Sequence, residues 1–136
     1  MELNIRRLKD SDWETLVSWW NDWPDWVNPP KDFLPENGTG GLIVEKNNKP
    51  IVAGFLYFTN STAVLLEWVV SDPDYKQKDK KKAIELLILS AENVCIQSGK
   101  KYMFSIGRNN SLINTHKKMG WNVDDKPSYE ISKKLI

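Results

Sequence analysis

Two side chains in this sequence are suited to moving a proton. His116 is the only histidine, and an imidazole gains or loses a proton near neutral pH. Glu67 interrupts the apolar run from Ala63 to Val70, where a carboxylate is costly unless it is paired or functional. Glu67 is therefore a candidate general base, the lining of a polar pocket, or the partner of a lysine or arginine. His116 shares a predicted helix face with Leu112 and Met119, which favours a packed histidine over a catalytic one.

A cluster of lysines lies at the start of a predicted long helix. Its members are Lys76, Lys78, Lys80, Lys81 and Lys82. Because a helix N-terminus is partially positive, each lysine there is unfavourable by about 0.3–1 kcal/mol. The cluster is consistent with an anion site, and equally with a solvated face balanced by the acidic residues Asp72, Asp74 and Asp79.

Tryptophan is concentrated near the N-terminus, at Trp13, Trp19, Trp20, Trp23 and Trp26. Trp13 and Trp20 fall at helical spacing, which predicts core positions for them. The other three are candidates for a binding surface, where an aromatic wall would suit an apolar or cationic ligand. Asp22 and Asp25 lie among them and could receive an ammonium group.

Composition sets the class of protein. The 136 residues are 40% apolar and 27% charged, which is typical of one globular domain spanning 1–136. A net charge of +1 gives no general attraction to nucleic acid. No apolar run approaches the ~20 residues that cross a bilayer, and the N-terminus does not resemble a signal peptide.

The single cysteine excludes an internal disulfide. Cys95 falls near the apolar face of the predicted long helix, which indicates a small core residue. Together with the absence of a signal peptide, this favours a cytoplasmic location. No spacing of His, Cys and Asp predicts a metal site.

Hydrophobic periodicity predicts the element order β-α-loop-β-β-β-α-β-α-β. The strands are expected at 3–8, 42–45, 51–60, 63–70, 101–106 and 128–135. Ser11 or Asp12 is expected to cap the first helix, Gly99 to end the long one, and Ser111 to cap the last. The order predicts an α/β (α+β mixed sheet) fold class with helices on the faces of the sheet.

Two stretches make the chain resemble the GNAT superfamily of N-acetyltransferases. The run from Val70 to Lys76, Val-Ser-Asp-Pro-Asp-Tyr-Lys, is similar to the Pro-Glu-Tyr-Arg-like turn that follows a central strand in that family. Asn109 opens a short helix followed by Met119-Gly120-Trp121, similar to the family's Lys-x-Gly-Phe ending. With the element order, the resemblance covers essentially the whole chain.

The resemblance implies a GNAT-like acyl-CoA N-acyltransferase fold with acetyl-CoA as co-substrate. Acetyl-CoA would lie in a splay between the fourth and fifth strands, with its pantetheine arm paired to the backbone of Trp68, Val69 and Val70. Its pyrophosphate would bind amides at a helix N-terminus. The implied cofactor residues there are Lys76, Gln77, Lys78, Asp79, Lys80 and Lys81, together with Asn109.

The cofactor loop departs from the family pattern Arg/Gln-x-x-Gly-x-Gly/Ala. Aligned on Tyr75 and Ala83, the chain has Asp79 and Lys81 where the two glycines stand. Glycine there lets the backbone approach phosphate closely, and Asp79 adds a negative charge. Two functions therefore stay open: an acetyltransferase, or a catalytically inactive GNAT-fold binding or adaptor protein.

For an active enzyme, the resemblance also implies roles for the candidates named above. His116 aligns with a tyrosine that returns a proton to the leaving CoA thiolate, and Glu67 would be the general base. Trp19, Trp23 and Trp26 would line the substrate-binding wall. The partners would be acyl-CoA and a small amine or protein amine. A homodimer stays open, no membrane partner is expected, and the near-neutral charge disfavours nucleic acid.

Overall fold

The computed structural model describes residues 2–136 as two compact units, one ending at Ser105 and the other spanning Ile106–Ile136. In the larger unit, the strands are β1 (Leu3–Arg7), β2 (Gly41–Lys46), β3 (Lys49–Phe58), β4 (Ala63–Ser71) and β5 (Tyr102–Phe104), and the helices are α1 (Trp13–Asp22) and α2 (Lys80–Gln97). Short 3₁₀ turns lie at Asp10–Asp12, Lys31–Phe33 and Pro35–Gly38. The smaller unit contains α3 (Asn110–Lys118).

The strands form one mixed sheet in the order β1-β2-β3-β4-β5. The first four are antiparallel neighbours, and β5 runs parallel to β4. The turn between β2 and β3 places Asn47 and Asn48 at φ 53° and 63°, the left-handed conformation that two-residue hairpins require. The predicted mixed sheet is confirmed, although β3 begins at Lys49 rather than at Ile51.

Helices cover both faces of the sheet. On one face, the ring of Trp20 in α1 stacks on Phe55 of β3 with 6.4 Å between centroids, and both side chains are fully buried. On the other face, Leu87 of α2 lies against Gly54, where an added Cβ would come within 3.3 Å of the Leu87 Cδ2 atom. Gly54 and Phe55 are neighbours in β3, so they point to opposite faces. The two helices therefore bury opposite sides of the same strand.

An ion pair joins β1 to the start of α1. The two terminal nitrogens of Arg6 donate to the two carboxylate oxygens of Asp12 at 2.9 Å each, and the Lys9 amide donates to Asp12 at 2.9 Å. Burial raises the pKa of the Asp12 carboxyl, but these hydrogen bonds and the Arg6 charge outweigh burial and hold it below its usual value. The hydrogen bond to Asp12 in turn raises the pKa of Arg6. The pair fixes the direction in which the chain enters the helix.

The end of α2 confirms the predicted glycine cap. Gly99 has φ +77°, a conformation that costs glycine little. The Lys100 amide donates to the Cys95 carbonyl at 2.9 Å, and the Gly99 amide donates to the Ile96 carbonyl at 3.1 Å. This pair of bonds is a Schellman motif, which satisfies carbonyls that the last turn of a helix leaves without partners.

Three predictions about the last third of the chain were wrong. β5 has three residues, Tyr102–Phe104, rather than the six predicted at 101–106. No strand forms at 128–135, where Tyr129 and Ile131 are more than nine-tenths exposed; alternating apolar residues form a strand only where a neighbouring strand supplies backbone partners. Asn109, not Ser111, caps α3, because its side-chain oxygen accepts from the Leu112 amide at 2.8 Å.

Candidate functional site

The β4 strand loses its neighbour on one side partway along its length. Its parallel pairing with β5 covers only Ala63 to Leu65, opposite Tyr102 to Phe104. Its antiparallel pairing with β3 continues to Ser71. Within residues 2–136, the second half of β4 is therefore paired to one strand only. β4 and β5 therefore separate after Leu65, and an extended ligand can add to a sheet where two strands part.

A bulge distorts β4 at the point where it loses this neighbour. Phe55 faces Glu67 and Ala53 faces Val70, so two residues of β4 oppose Gly54 alone. The first of the two, Trp68, has φ +56°. For a bulky side chain this conformation costs of order 1–3 kcal/mol. Bulges of this kind re-aim side chains and end strand pairing beside functional sites.

The bulge places Glu67 and Trp68 on the same face of the sheet. Glu67 lies opposite Phe55, on the face that α1 covers. The Trp68 ring meets Trp20 of α1 edge-on, with 6.2 Å between centroids. Val69 points to the other face, where its Cγ2 atom lies near Gly54. The Glu67 side chain is buried.

The N-terminus of α2 follows the end of β4 in the chain. Two of its amides are engaged, because the Lys80 amide donates to the Gln77 carbonyl at 3.2 Å and the Ala83 amide donates to the Asp79 carbonyl at 2.9 Å. Between them lie the first-turn amides of Lys81 and Lys82, which have no partner within the helix and whose partial positive charge favours an anion. This end of α2 is suited to a phosphate group.

The lysines at this end differ in their surroundings. Lys76, Gln77, Lys78 and Lys81 have exposed side chains, and so does Lys82. The ammonium of Lys80 is half-buried, donates to the Asp72 carbonyl at 3.3 Å and lies 5.3 Å from the Trp23 ring centroid. Burial lowers the pKa of Lys80. Four of the five cations are thus free to turn toward an anion, whereas Lys80 is packed on an aromatic ring.

The side chain of Asp79 is already engaged within the protein. It accepts a hydrogen bond from the Lys46 ammonium at 2.7 Å and another from the Tyr75 hydroxyl at 2.6 Å. The Lys46 and Tyr75 hydrogen bonds hold the pKa of Asp79 below its usual value, and the bond to Asp79 raises the pKa of Tyr75 to about 12. The negative charge that appeared to oppose phosphate binding is therefore paired.

The loop also has no conformational need for the missing glycines. None of the residues from Lys76 to Lys82 has a positive φ, and Asp79 itself has φ −84°. Side chains other than glycine adopt such a backbone without strain. The backbone conformation of the residues present is therefore compatible with a pyrophosphate group at this end of α2, despite the departure from the family pattern.

The tryptophan-rich segment contributes more to the core than its composition indicated. Trp19 is 5% exposed, so it presents almost no surface to a ligand. Trp23 and Trp26 are half-buried against the same core. The Trp23 indole nitrogen donates to the Ser71 carbonyl at 2.7 Å, which ties the segment after α1 to the end of β4.

Two aromatic residues of this region were missed in the sequence. Phe33 is half-exposed and meets the Trp68 ring edge-on at 5.9 Å between centroids. The Tyr57 hydroxyl donates to the Phe33 carbonyl at 3.2 Å. Phe33 lies in a proline-rich stretch without periodicity, so no pattern in the sequence marked it.

The smaller unit holds the remaining predicted residues. Asn109 uses its side-chain oxygen as the cap of α3. His116 is buried, and its Nδ1 lies 2.9 Å from the Leu112 carbonyl oxygen. A carbonyl only accepts, so Nδ1 carries the proton in this bond. His116 Nε2 has no hydrogen-bond partner among residues 2–136, and in the neutral ring it is a proton acceptor.

Other classes of site receive no support from the described residues. Between residues 2 and 136, no group of three or more His, Cys, Asp or Glu side chains could hold a metal ion. No helix in the same range is long and apolar enough to cross a membrane. Cys95 is buried, and burial raises the pKa of its thiol, which disfavours a role as a nucleophile.

Comparison with known proteins shows a shared fold but no match in sequence to a protein family or a curated protein. No protein-family model and no curated protein matches the sequence. Among solved structures, a ribosomal-protein-S18-alanine N-acetyltransferase from Escherichia coli is 15% identical, with a TM-score of 0.70, over 89% of this chain and 78% of its own. The PaiA N-acetyltransferase from Thermoplasma acidophilum, in complex with coenzyme A, is 18% identical, with a TM-score of 0.66, over 93% of each chain.

A third structure covers both chains almost completely. An aminoglycoside acetyltransferase from an uncultured soil metagenomic sample is 10% identical, with a TM-score of 0.68, over 98% of this chain and 97% of its own. At these identities the likeness concerns the fold. The predicted fold is confirmed: the chain has the mixed sheet and flanking helices of the GNAT acetyltransferases.

Proposed function

We propose that this chain, which has the GNAT acetyltransferase fold, transfers an acetyl group from acetyl-CoA to an amine. The observation that carries the proposal is the separation of β4 from β5 after Leu65, next to the bulge at Trp68. Solved proteins of this fold include N-acetyltransferases, and the one from Thermoplasma acidophilum is in complex with coenzyme A.

The residues that would hold acetyl-CoA lie along one path in the larger unit. The backbone of Trp68, Val69 and Val70 would pair with the pantetheine arm. The amides at the start of α2 would bind the pyrophosphate, and exposed lysines such as Lys78 and Lys81 would balance its charge. Asn109 of the smaller unit is a further predicted contact. When bound, acetyl-CoA supplies an acetyl group activated as a thioester.

The reaction needs one proton removed and one proton supplied. The amine nitrogen forms a bond to the acetyl carbon, the carbon–sulfur bond breaks, the amine loses a proton and the thiolate gains one. Glu67 is the proposed acceptor of the amine proton. His116 is the proposed donor to the thiolate, and because its Nδ1 is bonded to the Leu112 carbonyl, it can donate from Nε2 only as an imidazolium.

The first experiment asks whether acetyl-CoA binds the full chain. A ligand that binds only the folded state at a hundredfold excess over Kd stabilises it by about 2.7 kcal/mol, which raises the Tm of a domain of this size by several degrees. S-acetylpantetheine, which lacks the pyrophosphate, is the matched control. We expect salt to weaken binding of acetyl-CoA but not of the control, because charged contacts are screened.

A negative result would be decisive. The absence of a thermal shift and of calorimetric heat at millimolar acetyl-CoA and low salt would overturn the proposal. Equal salt dependence for acetyl-CoA and S-acetylpantetheine would remove the lysine-rich loop from the binding site while leaving the β4 edge in place.

A further inference from the structure

The α1 face of the sheet carries an aromatic group that acetyl-CoA binding does not explain. Along β4, Glu67 and Trp68 share this face because the bulge interrupts the alternation of side chains. Tyr57 of β3 lies on it as well, opposite Leu65. A buried carboxylate on the strand where the acetyl group is proposed to lie thus shares its face of the sheet with two aromatic residues, Trp68 and Tyr57.

Phe33 extends this aromatic group to the surface. Its ring packs edge-on against Trp68 at an interplanar angle of 87°, and its carbonyl is held by the Tyr57 hydroxyl. Even so, 51% of Phe33 remains exposed. Phe33 is thus held by its backbone carbonyl and by one ring contact, and its exposed side chain offers a preformed apolar face to a ligand.

An exposed carboxylate adjoins Phe33 in the chain. Asp32 precedes Phe33 and is exposed. Lys31, on the other side of Asp32, lies 3.6 Å from Asp10 and over the Trp13 ring. An exposed carboxylate beside an aromatic side chain attracts an ammonium group, and aromatic rings also bind cations directly.

We infer that the acceptor is a primary amine bearing an aromatic or similarly flat apolar group, which Phe33 and Trp68 select. The inference rests on the proposed acetyl transfer. The ring of the acceptor packs edge-on or offset against Phe33 and Trp68, and its amino group faces the Glu67 side of β4. The amine nitrogen forms the new bond to the acetyl carbon, the carbon–sulfur bond breaks, and the products are an N-acetylated arylalkylamine and the CoA thiol.

The test compares two primary amines that differ in the ring. The full chain is given saturating acetyl-CoA with either 2-phenylethylamine or propylamine, and release of the CoA thiol is followed. We expect kcat/KM to be at least ~10-fold higher for 2-phenylethylamine, a difference that contact with one apolar group can supply. Phe33→Ala should bring the ratio of the two close to one, and Phe33→Tyr should retain it.

Calorimetry with acetyl-CoA separates this inference from the proposed function. Phe33→Ala should bind acetyl-CoA as tightly as the parent chain, since Phe33 is half-exposed and not among the proposed cofactor contacts. Equal kcat/KM for the two amines, or an equal fall for both in Phe33→Ala, would overturn the inference. If acetyl-CoA binds but neither amine is acetylated, the inference about the acceptor is overturned, while the proposed acetyl transfer to some other amine is not. Failure to bind acetyl-CoA would overturn both.

Discussion

The carboxylate of Asp79 lies 2.7 Å from the ammonium of Lys46, and this pair joins the end of β2 to the residue that precedes α2. In the sequence, Asp79 stands where the family has a glycine, and its negative charge was expected to oppose phosphate binding. The pairing gives Asp79 a structural role instead, because it holds the loop before α2 against the sheet.

The first prediction concerns the stability that this pair provides. Asp79→Asn and Lys46→Met should each lower the Tm slightly, and the double variant should lower it by less than their sum, because both changes remove one interaction. Asp79→Gly should lower the Tm further than Asp79→Asn, since φ is negative there and glycine adds only freedom to the unfolded chain. Additive effects in a thermal double-mutant cycle would contradict this role.

The second prediction concerns Arg6 and Asp12. Asp12→Asn should lower the free energy of unfolding by about 1–3 kcal/mol, because it leaves a buried hydrogen-bonding group with a weaker partner. The pKa of Asp12 is lowered in the folded state, so its stabilising effect is present above the pKa of the unfolded chain, near 3.9, and is lost as pH falls through the folded value. Urea unfolding at pH 7 and in acid should show the two proteins converging. A difference that does not shrink as the pH falls would argue against the ion pair.

The third prediction separates specific lysines from general charge. The double change Lys78→Ala with Lys81→Ala should weaken acetyl-CoA binding by roughly tenfold or more, equivalent to about 1.4 kcal/mol. Lys133→Ala with Lys134→Ala removes the same charge from exposed positions in the smaller unit and should leave the affinity unchanged. Calorimetry at low salt measures both. Equal losses in the two double variants would indicate only a long-range effect of net charge.

The fourth prediction uses the hydrogen bond of His116 to distinguish catalysis from packing. Asn can keep a donor near the position of Nδ1, facing the Leu112 carbonyl, but it has no counterpart of Nε2. His116→Asn should therefore keep the parent Tm closely while lowering kcat by ~10²-fold or more. A His116→Asn variant that retains the kcat of the parent chain would contradict this role and leave His116 as a packing residue.

The sequence predicted the sheet and helices because they depend on local patterns. The burial of Leu87, Ile88 and Ala91 follows directly from their helical spacing, and Gly99 ended α2 where expected. The segment at 128–135 failed for the opposite reason: Tyr129 and Ile131 alternate as in a strand, but pairing depends on a distant partner that the local pattern does not contain.

The contacts in the candidate site could not be predicted from the sequence. The φ of Trp68 depends on the register between β3 and β4, which no single-residue preference encodes. The partner of Asp79 is Lys46, far away in the chain, and Phe33 joins Trp68 through a fold that brings the proline-rich segment over β4. Such contacts arise only once the chain has folded.

The short ladder between β4 and β5 also has a consequence for the order of folding. β2, β3 and β4 follow one another through tight turns, so their contacts close small loops and can form early. β5 can join only after the whole of α2 has been placed, and it adds pairing over Ala63 to Leu65 alone. Amide protons in Tyr102–Phe104 should therefore exchange with solvent well before those in the middle of β3, which makes the edge that borders the proposed acyl site the first part of the sheet to open.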